Sequence, residues 1–374
     1  MGSPTEAEAL GRRLLDAAEL EVDGPNPWDP QINDGRIWER VLRDRELGLG
    51  EAYQEGWFDV EALDEMLSRI ITVDLFGQIK PGLRLLAVGA QQVLLNNQTI
   101  RRARRNASAH YDIGNDLYER MLDKRMIYSS AYWRNATDLD TAQEAKLDLI
   151  CRKLSLEPGM RVLDIGCGWG GFSHFAASRY GAHVTGISPA AEQVKLARVR
   201  CDDLPVDIRQ LDYRDVTGTY DRIVSIGMME HVGPKNMATF FEVCKTLLDP
   251  DGMMLHHTIG RNYTSSRSDA WFDKYIFPGG VLPSVAQIAR AAEPDWVIED
   301  LHNFGPDYDR TLMCWSANVT AAWDELPMYD EQFRRMWHYY LMGTAAGFRT
   351  RVMQLWQVVF RRARRRTDVY QAVR

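Results

Sequence analysis

From Arg161 onward, short apolar runs alternate with amphipathic stretches. The runs 161–165, 183–187, 206–210, 220–226 and 253–257 read as strands, and their alternation with helical patterns predicts a parallel sheet with crossover helices. Ser188-Pro189 is a predicted helix start, serine as N-cap and proline in the first turn, and Gly233-Pro234 is another. Beyond Ile298 the pattern is helical until 354–360, a last predicted strand. The first 100 residues read differently, as short helices punctuated by Gly24-Pro25-Asn26-Pro27 and Lys80-Pro81-Gly82, with Leu63, Met66, Leu67, Ile70 and Ile71 at helical spacing. The predicted organisation is a small helical domain (1–100), a basic linker (101–109) containing Arg101-Arg102-Ala103-Arg104-Arg105, and an α/β domain (110–374).

Composition narrows the function classes. With 45% hydrophobic and 26% charged residues in 374, the chain buries a large core and is not a disordered protein. A net charge of -7 excludes a general nucleic-acid-coating role, so any anionic partner must be met locally, for instance by Arg101–Arg105 or Arg361–Arg366. Five cysteines, none in a C-x-x-C pair, argue against a disulfide framework and a structural zinc site, and no His/Cys/Asp/Glu grouping has metal-ligand spacing. No signal peptide is visible at the N-terminus, and the apolar stretch 85–100 is interrupted by Gln91, Gln92, Asn96 and Asn97. A cytoplasmic protein, soluble or peripheral at the inner face of the membrane, is the expectation.

The segment Val162-Leu163-Asp164-Ile165-Gly166-Cys167-Gly168-Trp169-Gly170-Gly171 is a strand entering a glycine-rich turn and then a helix. Such a turn lets backbone approach a ligand closely at a helix N-terminus. Asp164, two positions before the first glycine, suits an ammonium-bearing ligand better than a pyrophosphate. This resembles the first motif of class I S-adenosylmethionine-dependent methyltransferases. The second strand ends in Gly186-Ile187-Ser188 without a carboxylate, leaving Ser188 and Gln193 as candidates for ribose hydroxyls; Ser188 could equally be only a cap. Asp212 and Tyr213, after the third strand, are placed to reach an adenine, although Asp212 could be a solvated turn residue.

Further motifs extend the resemblance: His110 to Asp116, Tyr128-Ser129-Ser130-Ala131-Tyr132-Trp133, Gly227 to Asn236 around Glu230, His257-Thr258-Ile259-Gly260, Tyr275 to Gly280, and His302 to Tyr308. Together they resemble cyclopropane-fatty-acid-phospholipid synthases, from about Asp34 to Phe360. The resemblance implies a Rossmann-like methyltransferase domain with a mostly parallel seven-stranded sheet, behind a lipid-engaging helical N-domain. It implies methylene transfer from S-adenosylmethionine to a cis double bond of a phospholipid acyl chain, through a carbocation deprotonated by bound bicarbonate. Phospholipid bilayer is then the partner, with homodimerisation expected.

By the same resemblance the bicarbonate cradle falls on Glu230, His257, Ile259 and Tyr308, completed by Ser130, and the cofactor site on Tyr128, Ser129, Asp164, Gly166, Cys167, Gly168, Ser188, Gln193, Asp212 and Tyr213. Glu230 can accept bicarbonate's hydrogen, His257 and Tyr308 can donate to its oxygens, and Ile259 offers only its backbone N–H. Alternation along a strand puts His257 and Ile259 on one face and His256 on the other. The chain departs from the family's pattern at Ser130 and Thr344, where the family has cysteine. A methylene-branched product, another lipid acceptor, or a non-catalytic lipid-binding protein are the alternative readings. The aromatic stretches 271–277 and 333–341 fit either an acyl tunnel or a core.

Overall fold

The computed structural model of the chain describes residues 5–80, 114–293 and 295–374. Its one large sheet has seven strands, β1 Arg161–Ile165, β2 His183–Ser188, β3 Val206–Gln210, β4 Tyr220–Ile226, β5 Leu248–Arg261, β6 Trp296–Asn303 and β7 Met353–Arg362, in the order β3-β2-β1-β4-β5-β7-β6. The first five strands are parallel, while β7 inserts antiparallel between β5 and β6. The expected mostly parallel seven-stranded α/β sheet is therefore present.

Apolar side chains on both sheet faces explain the layers. Leu163 and Ile165 enter one cluster with Ile223, Phe240, Phe241, Trp296 and Phe360, whereas Val162 enters the other with Leu147, Ile150, Phe172 and Phe175. Helices Met237–Leu247 and Val285–Ala292 cover the first face, and Leu139–Lys153 and Gly171–Tyr180 the second. The start of Leu139–Lys153 is fixed by a capping box in which Asp138 and Thr141 satisfy each other's backbone N–H groups.

Several boundaries differ from the sequence reading. Strand β5 starts at Leu248 rather than 253, and β6, Trp296–Asn303, runs into the stretch beyond Ile298 that the sequence pattern reads as helical. Ser188 is not the cap of the following helix, which runs Ala191–Arg200 behind Ala190; its hydroxyl accepts from the Ala190 N–H (3.2 Å) within the turn. Gly233-Pro234 does not open a helix, because Gly233 ends the short helix Met229–Val232 at φ +74° and the next begins at Met237.

The chain forms two compact units, and the helical one is not simply the first 100 residues. One unit comprises Asn96–Ser266, Gly279–Thr311 and Met353–Arg374 and carries the whole seven-stranded sheet; the other comprises Met1–Leu95, Arg267–Pro278 and Leu312–Val352. The later segments join the helical unit because they supply its core and its charge partners. Trp271 is buried and donates through Nε1 to Gln54 Oε1 (2.8 Å), on a helix, Ile37–Gln54, whose Gly50 leaves room for that indole. Buried Glu51 binds Arg40 (2.8 Å) and Lys274 (2.7 Å), and Arg349 pairs with Asp64 (2.7 Å). In helix Leu63–Thr72, Leu63, Met66, Leu67 and Ile70 face inward as their spacing predicts. Among the described residues no helix is long and apolar enough to cross a membrane. Arg101–Arg105 and the rest of 101–109, His110, and the apolar stretch 85–100 lie outside the described residues.

Candidate active site

Asp164 lies near the carboxyl end of β1, almost wholly buried, with Oδ2 accepting from Ser173 Oγ (2.8 Å). Beyond it the loop folds back onto β2: the N–H groups of Gly166 and Cys167 both donate to the Ile187 carbonyl (2.9 and 3.0 Å). Gly168 has φ +54°, and a side-chain carbon built there would meet no described atom within 4 Å. The loop is thus tied down on one side and open at Gly168 to close approach by a ligand. Burial pushes the Cys167 thiol well above its ordinary value, so this cysteine packs rather than reacts.

The Tyr128-Ser129 segment is brought against that loop by aromatic packing. The buried Tyr118 ring touches Tyr128 (5.1 Å between centroids) and Trp169 (4.8 Å), and the Trp169 indole donates to Asn115 Oδ1 (2.9 Å). Behind Ser129 lies Lys146, whose ammonium donates to Ser129 Oγ (2.8 Å), while Gln143 Nε2 donates to the Ser129 carbonyl (2.8 Å). Burial drives Lys146 down to about 7 and Asp164 up to about 7, each opposed by the other's charge. A buried carboxylate and a buried ammonium thus lie within each other's field behind the glycine loop and Ser129. That charge pair fits the zwitterionic amino-acid end of S-adenosylmethionine.

The remaining cofactor candidates divide. Ser188 Oγ donates to Gln193 Oε1 (3.1 Å), so the two ribose candidates are neighbours at the end of β2. Asp212 is committed to Arg214, which approaches both carboxylate oxygens (2.7 and 2.9 Å). Tyr213, expected to reach an adenine, lies in the short helical turn Tyr213–Asp215 with its ring packed in the core against Phe240 (5.2 Å).

Four chain segments meet beyond the ends of β4 and β5. Gly227 donates to the His257 carbonyl (2.8 Å) and, at φ +66°, turns the chain into the short helix bearing Glu230. Glu230 Oε1 accepts from the Ile259 N–H (2.6 Å), and Oε2 has no hydrogen-bond partner among the described residues. The Ile259 N–H, expected to face the anion, is thus engaged by the carboxylate it orients. His257 shares its face with Ile259; its Nδ1 meets Gln357 Nε2 (3.3 Å), its ring packs on Phe304 (5.8 Å), and its Nε2 has no partner among the described residues. His256 points to the opposite face among Phe240, Phe241 and Phe360, as strand alternation predicts. Burial raises the Glu230 carboxyl to about 7; burial first, then the nearby Lys146 and Lys153 charges, holds His257 well below its ordinary value.

Ser130 and Tyr308 are joined to one another by the surrounding backbone. Thr311 Oγ1 accepts from the Ala131 N–H (3.1 Å) and from Trp133 Nε1 (2.9 Å), and Asp307 accepts from the Trp133 N–H (2.7 Å). Segment 130–133 is thereby bolted to the first turns of helix Pro306–Ala321, where Tyr308 is buried. Tyr132 and His257 both pack on Phe304, which brings this clamp to the same corner as Glu230. Ser130 Oγ itself donates to the Ala131 carbonyl (2.9 Å).

Sequence reasoning missed Lys146, Lys153, Gln143 and Gln357. Lys153 is fully buried, driven down to about 8 by burial, 3.1 Å from His302 Nδ1 and 3.4 Å from Asp300, itself held by Arg374 (2.6 Å). A signal was present: Gln143, Lys146 and Lys153 fall at helical spacing with buried Ala142, Leu149 and Ile150, a polar row on an apolar face.

The sequence profile of the mycolic acid cyclopropane synthetase family matches residues 98–358. The cyclopropane-fatty-acyl-phospholipid synthase of Escherichia coli K12 is 49% identical over 358 residues, covering 94% of this chain and 93% of its own. Among solved structures, the cyclopropane synthase MmaA2 of Mycobacterium tuberculosis superposes with a TM-score of 0.65 at 30% identity, over 69% of this chain and 97% of its own. The mycolic acid cyclopropane synthase CmaA1, complexed with SAH and CTAB, gives 0.64 at 30% identity over 69% and 97%. With the sheet order and the open glycine loop in place, the chain belongs to the mycolic acid cyclopropane synthetase family.

Proposed function

We propose that this chain transfers a one-carbon unit from S-adenosylmethionine to the cis double bond of an acyl chain in a membrane phospholipid and closes a cyclopropane ring, with bicarbonate bound at Glu230 and His257. The observation that carries the reading is the pair of buried polar atoms, Glu230 Oε2 and His257 Nε2, without partners among the described residues in a corner adjoining the cofactor loop. An orphaned acceptor beside an orphaned ring nitrogen is costly unless a ligand serves both, and a hydrogen-bearing oxyanion does so. Tyr308 is buried at the start of the helix to which segment 130–133 is bolted, and the buried ammonium groups of Lys146 and Lys153, whose charges act on His257, make the corner favourable to negative charge.

S-adenosylmethionine supplies an electrophilic methyl group on a sulfonium that leaves as a neutral thioether. The alkene's electron pair forms the new carbon–carbon bond, leaving a cation on the acyl chain; loss of a proton from the added methyl lets that carbon–hydrogen pair close the ring. Bound bicarbonate supplies the base for that proton. The chain's own residues hold and orient. Asp164 and the Lys146-backed Ser129 grip the cofactor's charged end, Gly168 admits its backbone-hugging portion, and Ile259 fixes the Glu230 carboxylate. A dry corner protects the cation from water. The E. coli relative is named as a phospholipid enzyme and CmaA1 was solved with SAH, which supports this substrate pair.

The test is Glu230→Gln. The variant is expected to bind S-adenosylmethionine with unchanged affinity by calorimetry and to lose turnover by about 100-fold or more, the scale of a lost acid–base group. Wild-type turnover, or wild-type activity independent of added bicarbonate in carbon-dioxide-free buffer, would refute the anion assignment.

A further inference from the structure

Three polar side chains occupy one register row across β5, β7 and β6: His257 faces Gln357, which faces His302. Cross-strand partners share a sheet face, so Gln357 lies between the two imidazoles. Its side chain is fully buried, with Nε2 at 3.3 Å from His257 Nδ1 and Oε1 without a partner among the described residues. On the far side, His302 Nδ1 is engaged by the Lys153 ammonium (3.1 Å), which can only donate. Each imidazole of the row thus meets a nitrogen donor at its Nδ1, and nothing in the transfer chemistry above uses Gln357.

A carboxamide N–H donates, so the ring nitrogen it meets must carry a lone pair. A neutral imidazole with its Nδ1 lone pair occupied in this way keeps its proton on Nε2. For His257 that is the nitrogen without a partner, in the corner with Glu230 Oε2. The opposite tautomer would present a lone pair to an oxyanion and repel it. We propose that Gln357 is a positioning residue that fixes His257 in the Nε2–H tautomer, making the imidazole a hydrogen-bond donor to the anion. The proposal rests on the anion reading given above. It assigns to the antiparallel strand β7 a part in the chemistry, although β7 contributes no group that touches substrate.

The test uses full-length protein labelled with 15N-histidine, the His257 ring signals being assigned by their loss in His257→Gln. Ring proton–nitrogen correlations of the unmutated protein are expected to show hydrogen on Nε2 and none on Nδ1. Gln357→Glu replaces the donor by an acceptor and is expected to move the proton to Nδ1. Its turnover should fall by about 100-fold or more, as it does when a histidine of a Ser-His-Asp triad is left in the wrong tautomer, with S-adenosylmethionine affinity unchanged. Gln357→Leu should give mixed tautomers and a raised KM for bicarbonate. Hydrogen on Nδ1 in the unmutated protein overturns the proposal without any variant having to fold; so does a folded Gln357→Glu that keeps the wild-type spectrum or turnover. Full activity of the unmutated enzyme without bicarbonate would overturn the anion reading, and with it the catalytic purpose of Gln357. That result is distinguishable because it leaves the tautomer spectrum unaltered.

Discussion

The hydroxyl of Ser130, the position at which the family resemblance calls for cysteine, donates to the neighbouring Ala131 carbonyl. With the hydroxyl so engaged, Ser130→Ala should retain turnover within about fivefold, about 1 kcal/mol in the barrier. A larger loss, measured with S-adenosylmethionine binding intact, would give the hydroxyl a role the structure does not assign. Thr344 likewise donates to the Tyr340 carbonyl (2.7 Å), a helix-internal bond that leaves nothing for thiol-like chemistry. At Glu230 the residue scale predicts a pH effect. With its carboxyl raised to about 7 by burial, the accepting, ionised form grows in through neutrality. At constant bicarbonate concentration turnover should rise between about pH 6 and 8, and Glu230→Gln should lack that limb.

Among the elements, the strands flanking the cofactor loop were legible because parallel strands buried on both faces read as unbroken apolar runs, as in 161–165 and 220–226. Strand β6 was not. It lies at the sheet edge, a register shift falls between Ile298 and Asp300, and the resulting pattern leaves Val297, Ile298 and Leu301 exposed while Asp300 turns inward. A bulge inverts the alternation that a sequence reading relies on. What the inverted strand delivers is Asp300, the counter-charge of buried Lys153 and of Arg374. Burial opposes ionisation of Asp300, but the Arg374 hydrogen bonds and the Lys153 charge prevail and hold its carboxyl below the ordinary value. A depressed carboxyl stabilises the fold above its unfolded pKa, about 4, and that contribution disappears as acid protonates the native form. Asp300→Asn should cost about 3 kcal/mol at pH 7 by leaving Lys153 without its counter-charge. Urea denaturation showing no change at pH 7, or an equal difference at pH 3, would contradict that account.

For the molecule as a whole, the sequence carried the catalytic unit more faithfully than the helical one. Motifs at strand ends are local in sequence, so Glu230 and His257, whose Oε2 and Nε2 are buried without partners among the described residues, could be singled out as candidates before any contact was known. Unit membership depends on long-range packing: Trp271 reaching Gln54, Lys274 reaching Glu51 and Arg349 reaching Asp64 are pairings that no local pattern encodes. The aromatic residues read as either tunnel or core make core contacts in the helical unit, with Trp271 against Tyr339 (4.6 Å) and Phe333 stacked on Trp337 (5.8 Å). The same distinction explains the missed lysines, whose burial is a property of the assembled corner rather than of their helix alone.

The central claim is that this corner makes a three-membered ring on a lipid chain. Its most direct test is incubation of the purified protein with S-adenosylmethionine, bicarbonate and vesicles of a cis-monounsaturated phospholipid, followed by mass spectrometry and proton NMR of the acyl chains. The account predicts chains heavier by one CH2 whose new protons resonate upfield, as cyclopropane protons do, with the olefinic signals lost in proportion. Olefinic methylene protons at that same mass, or bound cofactor with no change in mass, would contradict it.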